Sequence, residues 1–86
     1  MSYRLELSPH ARRSLNKIPH KDFRKLDFVI SNLEDNPRPH GVKKLKGLIH
    51  RIRVGDWRII YLISDEEKLV SILDAIRRSE STYKGL

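Results

Sequence analysis

The stretch Arg51-Ile52-Arg53-Val54-Gly55-Asp56-Trp57-Arg58-Ile59-Ile60-Tyr61 decides the fold. Apolar and charged residues alternate on both sides of Gly55-Asp56, and a two-residue glycine-containing loop between alternating runs is a strong hairpin signal. The sequence predicts strands over Leu48 to Val54 and Trp57 to Ser64. With Gly55 and Asp56 as the loop, Val54 pairs with Trp57, Arg53 with Arg58, Ile52 with Ile59 and Arg51 with Ile60. Alternation then puts Ile52, Val54, Trp57, Ile59 and Tyr61 on one face and Arg51, Arg53 and Arg58 on the other.

Working outward, a polar turn at Asp65-Glu66-Glu67-Lys68 leads into a third run, Leu69 to about Ile76. An unbroken ladder pairs Tyr61 with Ile72, Ile60 with Leu73 and Arg58 with Ala75, so Arg77 emerges on the face of Arg58. On the N-terminal side, Tyr3 to Leu7 alternates with period two and predicts a short strand. Ser8-Pro9 supplies a capping hydroxyl and then a proline at the first helical position. Ala11, Leu15 and Ile18 share one face of the helix that follows, while Arg12, Arg13 and Lys17 look outward. Pro19 ends it. A second helix is expected from about Lys21 to Asp35, burying Phe23, Leu26, Ile30 and Leu33, with Phe28 and Val29 widening the stripe. Asn36-Pro37-Arg38-Pro39 cannot continue a helix. The expected architecture is α+β. A small antiparallel sheet, made of the N-terminal strand and a C-terminal three-strand meander, carries an α-helical hairpin on one face.

Composition narrows the function. The chain has 86 residues, 18 of them Lys or Arg against 11 Asp or Glu, for a net charge of +7. That length predicts one domain over residues 1–86, and that charge predicts an anionic partner. With no cysteine, disulfides, zinc–thiolate sites and thiol nucleophiles are excluded. His10, His20, His40 and His50 lack metal-ligand spacing, so no metal or cofactor is expected. The opening MSYRLEL does not read as a signal peptide, and no apolar run has the length of a membrane span. A cytoplasmic protein without membrane contact is the expectation.

Like charges directly across a strand pair are destabilising, so Arg53 opposite Arg58 calls for a reason. No Asp or Glu of the meander falls on that face. Guanidinium forks suit phosphate oxygens, and Arg51, Arg53, Arg58 and Arg77 together read as a phosphate-binding surface. A solvated cationic face is the competing reading. Lys43, Lys44 and Lys46, just before the meander, fit contacts to a nucleic-acid backbone or simple solubility. Tyr83 lies in the polar tail Arg77-Arg78-Ser79-Glu80-Ser81-Thr82-Tyr83-Lys84. It can stack on a base, exchange a proton if nearby arginines lower its pKa, or pack the tail against the sheet edge.

The segment Lys44-Leu45-Lys46-Gly47, followed by the pattern R-x-R-V-G-D-W-R-I-I-Y and an arginine-rich end with a tyrosine, resembles the RelE branch of the RelE/ParE toxin superfamily. The resemblance covers essentially the whole chain. It implies a toxin of a type II toxin–antitoxin system that enters the ribosomal A site and cleaves mRNA there by attack of a ribose 2′-OH on the adjacent phosphate, without a metal. It implies catalytic roles for Arg58, Arg77 and Tyr83, with Arg78 as an alternative to Arg77. RNA contacts fall to Arg51, Arg53, Lys43, Lys44, Lys46 and Arg78. The implied partners are the ribosome, its mRNA and a RelB-like antitoxin with an acidic segment, the toxin being a monomer when alone and heteromeric with its antitoxin. Arg51 and Arg53 stand where family members carry lysines, and arginine cannot readily take a proton. Tyr83 is therefore the candidate base. A ParE-like inhibitor of DNA gyrase, and a non-catalytic homologue that regulates its own operon, are the alternative readings.

Overall fold

The computed structural model describes residues 2–78. In chain order it has strand β1 (Arg4–Leu7), helices α1 (Pro9–Asn16) and α2 (His20–Asn32), then strands β2 (Lys43–Lys46), β3 (Ile49–Val54), β4 (Trp57–Ser64) and β5 (Leu69–Arg77). The strands form one sheet in the order β1-β5-β4-β3-β2, with both helices packed on one face. The α+β expectation holds, with two changes. Lys43–Lys46 is itself a strand, antiparallel to β3. The sheet is mixed, because β1 runs parallel to β5. The helical hairpin and three further strands separate these two in sequence, a separation that a parallel pairing requires.

Local chemistry sets the element ends. Ser8 caps α1, its Oγ accepting from the Ala11 N–H at 3.0 Å, with Pro9 at the start of the helix. Gly55 takes φ +61° at the first loop position of the β3–β4 hairpin, where a left-handed φ matches the strand twist. The hairpin register is the one read from the sequence, from Val54↔Trp57 through Arg51↔Ile60.

The core lies between sheet and helices. Ala11, Leu15, Leu26, Ile30 and Leu33 meet Ile52, Trp57, Ile59, Tyr61, Ile63, Val70 and Ile72 there. Both core aromatics have satisfied polar ends, as buried Trp and Tyr require. The Trp57 indole N–H donates to Asp22 on α2 at 3.2 Å, and the Tyr61 hydroxyl donates to the Pro37 carbonyl at 2.8 Å. Burial pushes the Tyr61 phenol up from its ordinary value. Phe28 departs from the expected buried stripe and is 70% exposed. It sits two residues from Leu26, about 200° around the helix, so it faces solvent when Leu26 faces the sheet.

β5 breaks the expected ladder. Tyr61 pairs with Ile72 but Ile60 pairs with Asp74, so Leu73 is an extra residue. This β-bulge moves every later partner by one place. Arg58 faces Ile76 rather than Ala75, and Arg77 faces Trp57.

Candidate RNA-binding site

The cation face is the side of the sheet away from the helices. Cross-strand partners share a face, so the observed pairings set its membership. Lys43↔Arg51 and Lys46↔Ile49 put Lys43 and Lys46 on the Arg51 side. Lys44 pairs with His50, which in turn pairs with Tyr61 of the core face, so the three lysines are divided between the two faces. Arg51, Arg53 and Arg58 lie together as expected. Ile60 and Ile76 are buried on this same side, directly across from Arg51 and Arg58, where long arginine stems cover apolar surface.

The bulge corrects the expectation for Arg77. An unbroken ladder would bring it to the Arg58 face, but it pairs with Trp57, and its guanidinium lies over the Trp57 indole, 4.6 Å from the ring centroid. Arg78 is the next residue in the alternation. Its N–H donates to the Asp56 carbonyl at 2.8 Å, which continues the strand pairing into the hairpin turn. By alternation, Arg78 stands on the Arg58 side.

Electrostatics agree with that placement. Burial, followed by the charges of Arg58, Arg53 and Arg78, holds the Arg51 guanidinium below its ordinary value. Arg77 is not among these perturbing charges. The like charges lie close enough to act on one another, and among the described residues none of Arg51, Arg53, Arg58 and Arg78 forms an ion pair with a carboxylate. Against the expectation that no Asp or Glu of the meander would fall on this side, the bulge sets Asp74 opposite Ile60. Its carboxylate is turned to Ser14, His10 and the Ala75 N–H. Glu6 shares the face through its pairing with Ser71. It lies on the far edge strand, where Arg4 Nε holds it at 3.3 Å. The Arg58 Nε–H is buried and has no acceptor among the described residues. Unpaired donors of this kind are rare in folded proteins. An open cleft of about 420 Å³, lined by Asp56, Arg58, Arg77 and Arg78, opens at the same end of the sheet.

Chemically, the face can bind and neutralise phosphates along a path from Lys43 through Arg51 to Arg58 and Arg78. Its guanidiniums stay protonated near neutral pH, so they can stabilise negative charge but not remove a proton. Tyr83, the candidate base, lies outside the described residues.

One cluster escaped sequence reasoning. Asp74 is 2% exposed. Its Oδ1 accepts from Ser14 Oγ at 2.6 Å and from the Ala75 N–H at 2.8 Å, and its Oδ2 lies 3.1 Å from His10 Nε2. The available signal was a single acidic residue inside the apolar run Leu69-Val70-Ser71-Ile72-Leu73-Asp74-Ala75-Ile76.

Comparison with known proteins identifies the family. Residues 5–82 match the family of the ParE toxin of the type II toxin–antitoxin system parDE. The toxin RelE of Mycobacterium tuberculosis is 35% identical, the alignment covering 92% of this chain and 84% of that protein. A RelE toxin of Methanocaldococcus jannaschii is 28% identical over 99% of both chains. Among solved structures, the archaeal RelE–RelB complex of Pyrococcus horikoshii superposes with a TM-score of 0.83 at 29% identity, covering 93% of this chain and 99% of that one. The helical hairpin over a five-stranded sheet is thus a fold shared with RelE proteins, and this chain belongs to the RelE/ParE family of type II toxin–antitoxin toxins.

Proposed function

We propose that this toxin is a ribosome-dependent endoribonuclease that cleaves mRNA in the A site. In the reaction, the ribose 2′-oxygen forms a bond to the adjacent phosphorus as the bond from phosphorus to the 5′-oxygen breaks. The products are a 2′,3′-cyclic phosphate and a 5′-hydroxyl. One proton leaves the 2′-OH and one is delivered to the departing 5′-oxygen, so the step needs no metal or redox partner. The observation that supports this reading best is the cation face of Arg51, Arg53, Arg58 and Arg78, which has no carboxylate paired to it among the described residues.

Within that reading the arginines divide the work. Arg58, whose buried Nε–H has no acceptor among the described residues, and Arg78, which lines the cleft with it, stabilise the charge that develops on the phosphoryl oxygens. Arg51, Arg53, Lys43 and Lys46 hold the RNA backbone. The 2′-OH proton goes to the Tyr83 phenolate, a form that a cationic environment favours, and the phenol so formed returns a proton to the departing 5′-oxygen. Tyrosine is a weak base at neutral pH, so the ribosome must supply alignment and the toxin should leave free RNA intact. Tyr83→Phe removes the hydroxyl and keeps the ring. Its single-turnover rate on programmed ribosomes should fall at least about tenfold, near the lower end of acid–base contributions. Full activity would remove Tyr83 as the base.

The neutralising partner is a RelB-like antitoxin. RelE–RelB complexes of Pyrococcus horikoshii and Mycobacterium tuberculosis share this fold, and an acidic segment laid over the arginine face would complement the +7 charge.

The family match also carries the ParE name, so a gyrase-directed poison is the second reading. Expression without antitoxin, followed by pulse labelling, separates the two. Protein synthesis should fall before DNA synthesis. The reverse order, with induction of a DNA-damage response, would favour gyrase.

A further inference from the structure

The bulge in β5 decides which C-terminal arginine joins the cation face, and the groups that hold it come from one place. Leu73 is the extra residue, and its carbonyl accepts from Ser8 Oγ at 3.2 Å. Next to it, the Asp74 side chain takes the Ala75 N–H, a donor that an unbroken ladder would use between strands. Asp74 is anchored in turn by Ser14 and His10 of α1. Ser8, His10 and Ser14 thus fix the bulge from the start of one helix. Its removal would restore the ladder Ile60↔Leu73, Arg58↔Ala75, bring Arg77 opposite Asp56, and turn Arg78 toward the helix side.

We infer that Asp74 is a positioning residue: by holding the bulge against α1, it delivers Arg78 rather than Arg77 to the cation face. The inference rests on the nuclease reading for its consequence in catalysis, while its structural half stands independently. Two registers of β5 differ by one residue, and each presents an arginine at the same place. A one-residue slip exchanges the two faces of a strand. In Asp74-Ala75-Ile76-Arg77-Arg78 both Ala75 and Ile76 are apolar and buried and two arginines follow, so either register buries an apolar residue and presents an arginine. A buried carboxyl bonded to Ser14 and His10 selects between them.

The test uses the full-length toxin and two readouts. Nuclear Overhauser contacts across β4 and β5 report the register directly. Native protein should connect Arg58 with Ile76. Asp74→Val, which can bond neither Ala75 nor Ser14, should connect Arg58 with Ala75. Asp74→Asn, whose amide oxygen still accepts from the Ala75 N–H, should keep the native pairing. An Arg58–Ile76 contact retained in Asp74→Val would overturn the inference. The second readout is single-turnover cleavage on programmed ribosomes. In the native background, Arg78→Ala should lose at least about tenfold more rate than Arg77→Ala, and in the Asp74→Val background the order should reverse. A purely structural role would slow both equally, without reversal. If Asp74→Val does not fold, Ser8→Ala/Ser14→Ala serves in its place. It should show faster Ala75 amide exchange and a second set of Arg58 contacts, whereas native protection and one register would overturn the claim. If the wild-type toxin leaves ribosome-bound mRNA intact, the nuclease reading falls, and the Overhauser contacts alone uphold or overturn the register selection.

Discussion

Arg53 facing Arg58 is a local cost that the fold tolerates, because opposed like charges weaken a strand pair. Arg53→Thr should therefore raise stability by about 0.5 kcal/mol in thermal or urea unfolding, within the range of cross-strand pair effects. The same substitution should weaken ribosome binding and flatten its salt dependence by about one phosphate contact. A variant that loses stability along with affinity would mean that Arg53 is structural. Arginine in place of lysine at positions 51 and 53 gives planar, permanently charged donors suited to phosphate, and under the nuclease proposal it leaves the proton transfer to another residue type. The membership of Arg51, Arg53 and Arg58 in one face could be read directly from alternation about Gly55-Asp56. The choice between Arg77 and Arg78 could not, since it depends on Asp74 meeting Ser14, a residue 60 positions earlier in the chain.

At the level of elements, the hairpin and both helices followed from local signals: a left-handed glycine, a serine cap and a 3.6-residue stripe. Strand β2 did not, because Lys43-Lys44-Leu45-Lys46 has weak strand propensity and takes its conformation from pairing with β3. The parallel β1–β5 pairing is likewise tertiary. It is tied by a latch in which the Tyr3 hydroxyl donates to Asp65 at 2.6 Å and both Arg38 Nη groups donate to the same carboxylate at 3.2 and 3.0 Å. These bonds, Arg38 first, hold the Asp65 carboxyl below its ordinary 3.8. A depressed folded pKa means that this contribution is complete above the unfolded value and is lost as pH falls through the folded one. Asp65→Asn should lower Tm at pH 7, and its deficit should shrink as pH falls below the ordinary carboxylate range. A deficit unchanged by acidification would assign the loss to packing instead. Phe28, exposed on α2, should tolerate Phe28→Ser within about 0.5 kcal/mol, as surface positions do.

For the whole molecule, the sheet divides the labour. One side is sealed by α1 and α2 over a core of aliphatic residues and two aromatics, and the other carries a cation path free of paired carboxylates among the described residues. With a net charge of +7, association with an RNA-rich surface should be fast and strongly dependent on ionic strength. Toxin–ribosome affinity should fall by more than about tenfold between 50 and 200 mM salt, the behaviour of several phosphate contacts acting together. An affinity indifferent to salt would point to an apolar or protein-directed contact. The most direct measurement is single-turnover cleavage of mRNA on programmed ribosomes at saturating toxin, comparing wild type with Arg58→Ala. The wild-type toxin should cut in the A-site codon and leave a 2′,3′-cyclic phosphate, and Arg58→Ala should bind but cut at least about a hundredfold more slowly. Intact mRNA with the saturated wild-type toxin, or an Arg58→Ala rate equal to wild type, would contradict the assignment of this arginine face to phosphoryl transfer.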